Sequence, residues 1–143
     1  MAVSYTGTVI VTGEGRNGGH VASSDGNLTT SLAIPAELGG AGGATNPEQL
    51  LAAGWGACFL GAVRRAAAER GVRLGSTSIA VETTLTHGDD GEFGLSAALH
   101  LELGGVDQET ATELGEAAHR ICPYSKATRG NIPVTVKATA LLG

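Results

Sequence analysis

Residues 49–63, Gln-Leu-Leu-Ala-Ala-Gly-Trp-Gly-Ala-Cys-Phe-Leu-Gly-Ala-Val, carry no charge and read as a helix that is apolar or small on every side. Such a helix is expected to be buried all round. One sheet covers only one side of it, so a second copy of the chain is the simplest cover for the other. The run is bracketed by Glu48 and Arg64, and its 15 residues are too few to span a bilayer. Its ends are marked locally. Asn46 reads as the N-cap, Pro47 as N1 and Gln49 as the N3 member of a capping box, and Gly71 is the stop after Arg70. Gly54, Gly56 and Gly61 lie inside, each costing about 1 kcal/mol relative to Ala.

The rest of the chain alternates with period two. Val3–Val11 reads as a strand, and 28–34 as a second one ended by Pro35, followed by a Gly-rich loop to Ala44. Residues 79–86 and 93–103 alternate around the turn Gly88-Asp-Asp-Gly91 and read as an antiparallel hairpin with one wet face. Asp107 caps a second helix, which Pro123 stops near Ile121, and 132–139 close the chain as a strand. No repeat, linker or boundary is visible. The expected fold class is α+β: a single domain over 1–143, with antiparallel sheets packed around central buried helices, forming a homodimer with the Cys58 helices near its interface.

A net charge of −5 and a pI near 5.2 argue against a nucleic-acid partner. Met1-Ala-Val-Ser-Tyr has neither a basic n-region nor an apolar h-region, so no membrane association is expected and the expected compartment is cytoplasmic. Disulfides there are usually transient, and catalytic or redox-sensing.

The chain has two cysteines, Cys58 and Cys122, with 63 residues between them. A free thiol is only a few per cent ionised at neutral pH, and burial in an apolar helix raises its pKa further. A reactive Cys58 therefore needs a fixed cation, and arginine stays charged when desolvated. Arg16, Arg64, Arg65, Arg120 and Arg129 are candidates, and the residues alone do not choose among them. Glu48 suits the role of orienting carboxylate, but ten helical positions, about 15 Å, separate it from Cys58. If Glu48 acts at a Cys58, the partner chain's is the expected one. Trp55, Phe59 and Tyr124 lie within three residues of a cysteine, as an apolar substrate pocket or as ordinary core.

Thr45-Asn-Pro-Glu-Gln-Leu, Ala57-Cys58-Phe59 and Ile121-Cys-Pro-Tyr-Ser-x-Ala-Thr-Arg-Gly-Asn-Ile132 resemble the OsmC/Ohr family, and more narrowly its organic hydroperoxide resistance branch. Gly15-Arg16-x-Gly18, Ser23-Ser-Asp-Gly26 and Glu37-Leu-Gly-Gly-x-Gly-Gly43 are similar to it too. The resemblance implies an intertwined α+β homodimer with its sites at the interface. It implies a thiol peroxidase with Cys58 as peroxidatic and Cys122 as resolving thiol, and with Arg16 and Glu48 as the activating pair. The implied substrates are alkyl and fatty-acid hydroperoxides, and the implied reductant is a dihydrolipoyl dithiol, free or on a lipoylated protein. Trp55 stands where the family often has Tyr, Leu51 where it often has Phe, and Lys126 where Asn is usual, which bears on pocket shape.

No metal or bound cofactor is expected. His119 and Cys122 have ligand spacing, but no other Cys/His cluster accompanies them. Gly13-x-Gly15-x-x-Gly18 matches the dinucleotide fingerprint only formally, since the required strand–turn–helix context is missing. Two alternatives stand beside the peroxidase. One is the osmotically induced branch with broader peroxide use. The other is a sensor or ligand-binding dimer whose cysteines only switch conformation.

Overall fold

The computed structural model describes residues 2–141, which fall into two compact units divided between Leu50 and Leu51. Among the described residues no helix is long and apolar enough to cross a membrane.

The first unit is built on a three-stranded antiparallel sheet of β1 (Val9–Gly13), β2 (Gly19–Ser23) and β3 (Thr29–Ser31), with β2 in the middle. The strand expected from Val3 begins only at Val9, where β2 lies opposite; Val3 and Tyr5 are fully in solvent. β2 falls in a stretch whose glycines hide its pattern. Its Val21 is buried, while β1 is exposed along its whole length. Between β1 and β2 the chain makes one 3-10 turn, Gly15–Asn17. Gly19 has no room for a side chain there: a Cβ would stand 2.4 Å from the Thr12 carbonyl oxygen and 2.8 Å from the Gly15 nitrogen. The Gly-rich segment after β3 holds a second 3-10 turn, Ala36–Leu38, and returns to bridge Leu32 with Thr45.

Helix α1 runs from Pro47 to Glu69, as its signals predict. Asn46 Oδ1 accepts the Gln49 N–H at 2.9 Å. The return arm of the capping box differs from the expected one. Gln49 Oε1 takes its hydrogen bond from the Thr45 hydroxyl, at 2.8 Å. Gly71 adopts φ +66, the left-handed conformation that a stop glycine supplies.

The second unit holds the remainder of α1, the hairpin β4 (Thr77–His87) and β5 (Phe93–Leu103), helix α2 (Gln108–Ile121), a short α3 (Pro123–Thr128) and β6 (Val134–Ala140). Val81 pairs with Leu99 and Ile79 with Leu101. Ala97, Leu99, Leu101 and Leu103 face a core shared with Trp55, Phe59 and Val63 of α1 and Leu114 and Ala118 of α2. Ser78, Ala80, Glu82, His100 and Glu102 stay exposed on the other face, which is the wet face that the alternation implied. Two glycines bring the helices close to the sheet. A Cβ at Gly56 would meet Val81 at 3.2 Å, and one at Gly115 would meet Ala138 at 3.2 Å.

One expectation is corrected here. The sheet is not antiparallel throughout: β6 runs parallel to β5, with Leu99 opposite Val136. α2 and α3 form the helical crossover that such a connection needs. One chain leaves one side of α1 open, as expected where a single sheet covers only the other. Trp55, Phe59, Val63 and Ala66 are buried, whereas Ala53, Ala57 and Gly61, one i,i+4 stripe, stay exposed.

Candidate active site

Cys58 lies in the middle of α1. Cys122 occupies the joint between α2 and α3, with extended dihedrals (φ −64, ψ 122) that close one helix and open the next. Its N–H still bonds to Ala118 O at 2.8 Å, and its carbonyl accepts the Lys126 N–H at 3.0 Å. Pro123 at N1 enforces the break, because the residue before a proline avoids the helical region. The joint brings the Cys122 sulfur to 3.5 Å from the Cys58 sulfur, with both thiols free. Cys122 is completely buried and Cys58 half-buried. A cavity of about 500 Å³ opens at Cys58, lined by Gly61, Ala62, Arg65, Ile121 and Pro123.

Burial, first, and then the Cys122 thiol push the Cys58 thiol above its ordinary pKa, while a backbone hydrogen bond from Tyr124 pulls it down. Within its own unit Cys58 is thus a reluctant acid, and its ionisation calls for a cation.

The candidate arginines separate by partner. Arg64 donates to the Thr77 hydroxyl at 3.2 Å, Arg65 pairs with Glu69 at 3.2 Å on the surface, and Arg129 donates to the His119 carbonyl, tying α3 back to the last turn of α2. Arg16 is held differently. Its two terminal nitrogens bind the two Glu48 oxygens at 2.9 and 2.7 Å, a bidentate pair 32 positions apart within the first unit. The Arg16 hydrogen bonds hold the Glu48 carboxyl below the usual range against the opposing effect of burial, and the same contact raises Arg16. The 3-10 turn carries Arg16 and the first turn of α1 carries Glu48, so both are set by local structure.

The aromatic residues divide. Trp55 and Phe59 are fully buried in the core and do not figure among the residues lining the Cys58 cavity. Tyr124 is 41% exposed, beside Gly54 of α1. His119 packs against Phe59 with ring centroids 6.5 Å apart. Its Nδ1 is buried without a partner, and burial, then the charge of Arg129, lowers its pKa. Among the described residues no group of three or more His, Cys, Asp or Glu side chains is gathered in metal-binding geometry. Ser125, singled out in the sequence only as a member of the Cys122 motif, accepts the Trp55 indole N–H at 3.3 Å.

The OsmC-like protein family model fits residues 40–137, and the chain belongs to the OsmC/Ohr family. Its relatives put it on the organic hydroperoxide resistance branch. An organic hydroperoxide resistance protein of Xanthomonas axonopodis pv. citri is 45% identical over 136 residues, 94% of either chain. The solved structure of an organic hydroperoxide resistance protein from Legionella pneumophila matches with TM-score 0.88 at 42% identity, covering 99% of this chain and 100% of that one. The structure of OhrB of Bacillus subtilis matches with TM-score 0.84 at 40% identity, covering 94% and 98%.

Proposed function

We propose that this chain is a cytoplasmic, homodimeric thiol peroxidase that reduces organic hydroperoxides to alcohols and so protects against oxidative stress. The observation that carries this is the thiol pair: one half-buried sulfur open to a cavity, and a second, fully buried one 3.5 Å behind it. The names of the relatives support the substrate class. The lining by Gly61, Ala62, Ile121 and Pro123 suits an alkyl or fatty-acyl tail better than hydrogen peroxide. The exposed stripe Ala53, Ala57 and Gly61 supports a second copy as the cover of α1.

The Cys58 thiolate attacks the terminal oxygen of the hydroperoxide. The O–O bond breaks, the alkoxide leaves and takes up a proton as alcohol, and Cys58 holds a sulfenic acid. The Cys122 sulfur then attacks the Cys58 sulfur. The hydroxyl departs as water with the Cys122 proton, and the disulfide forms before over-oxidation. A dihydrolipoyl dithiol reduces it by exchange, becoming a cyclic disulfide and returning both thiols. Arg16, oriented by Glu48, supplies the cation for the Cys58 thiolate and the leaving alkoxide. The rise of about 15 Å between Glu48 and Cys58 along one helix favours supply from the partner chain.

Steady-state consumption of an alkyl hydroperoxide with dihydrolipoamide, with hydrogen peroxide run in parallel, tests the reading. Many turnovers and a strong preference for the organic peroxide are expected. Consumption that stops after one equivalent per chain would instead mark a sensor.

A further inference from the structure

Trp55 and Ser125 are both completely buried, and the hydrogen bond between them joins the two elements that carry the cysteines. Trp55 lies three residues before Cys58, one turn back on α1. Ser125 lies three residues after Cys122, in the first turn of α3. A buried indole N–H left unpaired costs about 1–3 kcal/mol, and a phenylalanine would fill core without that risk. The donor at 55 therefore serves as more than apolar volume. A second contact runs alongside. Gly54 has no side chain, and a Cβ there would stand 3.3 Å from the Tyr124 hydroxyl, so α3 lies close against α1.

We propose that the Trp55–Ser125 hydrogen bond is a positioning clamp that keeps Cys122 within resolving distance of Cys58. This rests on the peroxidase reading above. Cys58 is fixed by a regular helix, but Cys122 sits in a joint whose dihedrals belong to neither helix. α3 is six residues long and too short to hold its own place. Arg129 ties its far end to α2, whereas the Trp55 bond ties it to the helix that bears the other sulfur.

A disulfide needs its sulfurs at about 2.05 Å, so from 3.5 Å the pair has only a short distance to close. The Cys58 sulfenic acid faces two competing reactions. Attack by the Cys122 thiol expels water and forms the S–S bond. A second hydroperoxide molecule instead transfers an oxygen, leaving as alcohol and converting the sulfenic to sulfinic acid. The clamp accelerates the first and leaves the second alone. It also leaves the initial oxidation of Cys58 alone, because neither Trp55 nor Ser125 lines the cavity at that thiol. Trp55 and Ser125 are thus positioning residues rather than catalytic ones.

The test is the partition between disulfide and sulfinic acid, read by mass spectrometry of intact chain and peptides after a fixed excess of cumene hydroperoxide. Wild type, Ser125→Ala, Trp55→Phe and the double variant are compared. Ser125→Ala deletes one oxygen at nearly constant volume, and thermal melts check that each variant folds. The expected result is an initial Cys58 oxidation rate within twofold of wild type and a resolving step slowed on the order of 10-fold in either single variant. The double variant should be no worse than the more affected single one. Resolution in Ser125→Ala as fast as in wild type overturns the clamp and leaves the peroxidase reading standing, provided wild type forms the disulfide. Single effects that multiply in the double variant also overturn it, since the residues would then act independently. A wild-type chain that forms no Cys58–Cys122 disulfide overturns the peroxidase reading and the clamp with it.

Discussion

The sulfur of Cys122, completely buried, lies 3.5 Å from the sulfur of Cys58, which is half-open to a cavity. On the proposed peroxidase reading, this asymmetry sets an order: a peroxide in the cavity meets Cys58 first, and Cys122 reacts with the oxidised Cys58.

Replacing each cysteine therefore has a different outcome. Cys58→Ser is expected to abolish peroxide consumption. Cys122→Ser is expected to consume its first equivalent at a near-wild-type rate and then gain a second oxygen on Cys58 as sulfinic acid. Peptide mass spectrometry after graded peroxide addition distinguishes the two. A Cys122→Ser protein that loses its first oxidation would refute the order.

Arg16 and Glu48 form a bidentate pair, so lysine is not a conservative replacement at 16. Arg16→Ala is expected to lower kcat/KM on the order of 10²-fold, with Arg16→Lys recovering part of it. If the pair acts across the dimer, co-refolding inactive Arg16→Ala with inactive Cys58→Ser chains restores about a quarter of the wild-type activity, because half the dimers are mixed and each holds one complete site. No recovery would place the pair and the thiol on the same chain.

Gly19 allows the turn that holds Arg16, since a Cβ there would meet the Thr12 carbonyl at 2.4 Å. Gly19→Ala is expected to cost about 1–3 kcal/mol of stability and to lower activity in the same direction as Arg16→Ala. Denaturant unfolding and steady-state kinetics check it. An unchanged midpoint would show that the turn adapts.

The Glu48 carboxyl is held below its ordinary range, chiefly by the Arg16 hydrogen bonds. A depressed folded-state pKa contributes stability that is fully present above the unfolded value near 4.3 and is lost as pH falls through the folded one. Arg16 is 38% exposed, so the contribution is that of a screened pair, about 1 kcal/mol. Glu48→Gln is expected to melt about 3 °C below wild type at pH 7, with the gap closing in acid below pH 4. A gap that persists there would assign the loss to packing rather than charge.

His119 has the same sign of shift with the opposite chemistry. Burial, then Arg129, favours its neutral form. Its contribution is complete above the unfolded value near 6.5 and is lost as pH falls from there toward the lower folded value. His119→Leu removes the unpaired Nδ1 and is expected to flatten the melting temperature between pH 7 and 5. A variant whose profile parallels wild type would show that His119 does not titrate with folding.

Much of the fold is legible in local patterns because they report which face of an element meets the core. Asn46, Pro47 and Gly71 bound α1 as observed, and the alternation of 79–103 puts Leu99 and Leu101 inside and His100 and Glu102 outside. β2 escaped because its short, glycine-led run has no clear period, and α3 because the proline that stops α2 also starts the next helix. The two thiols and Glu48 stand out from the residues themselves, whereas Arg16 is singled out by the family resemblance alone, since composition and spacing leave five arginines open.

The sequence by itself determined the all-round apolar helix, its caps, the one-faced hairpin and the motifs around both cysteines, because each is encoded within a few residues. Only the tertiary structure decided that β6 returns parallel to β5, that Arg16 grips Glu48 with both nitrogens, that the two sulfurs stand 3.5 Å apart, and that Trp55 finds Ser125. These pairs join residues 32 to 70 positions apart. Their distances follow from how buried surfaces stack across a whole unit, which no local pattern contains.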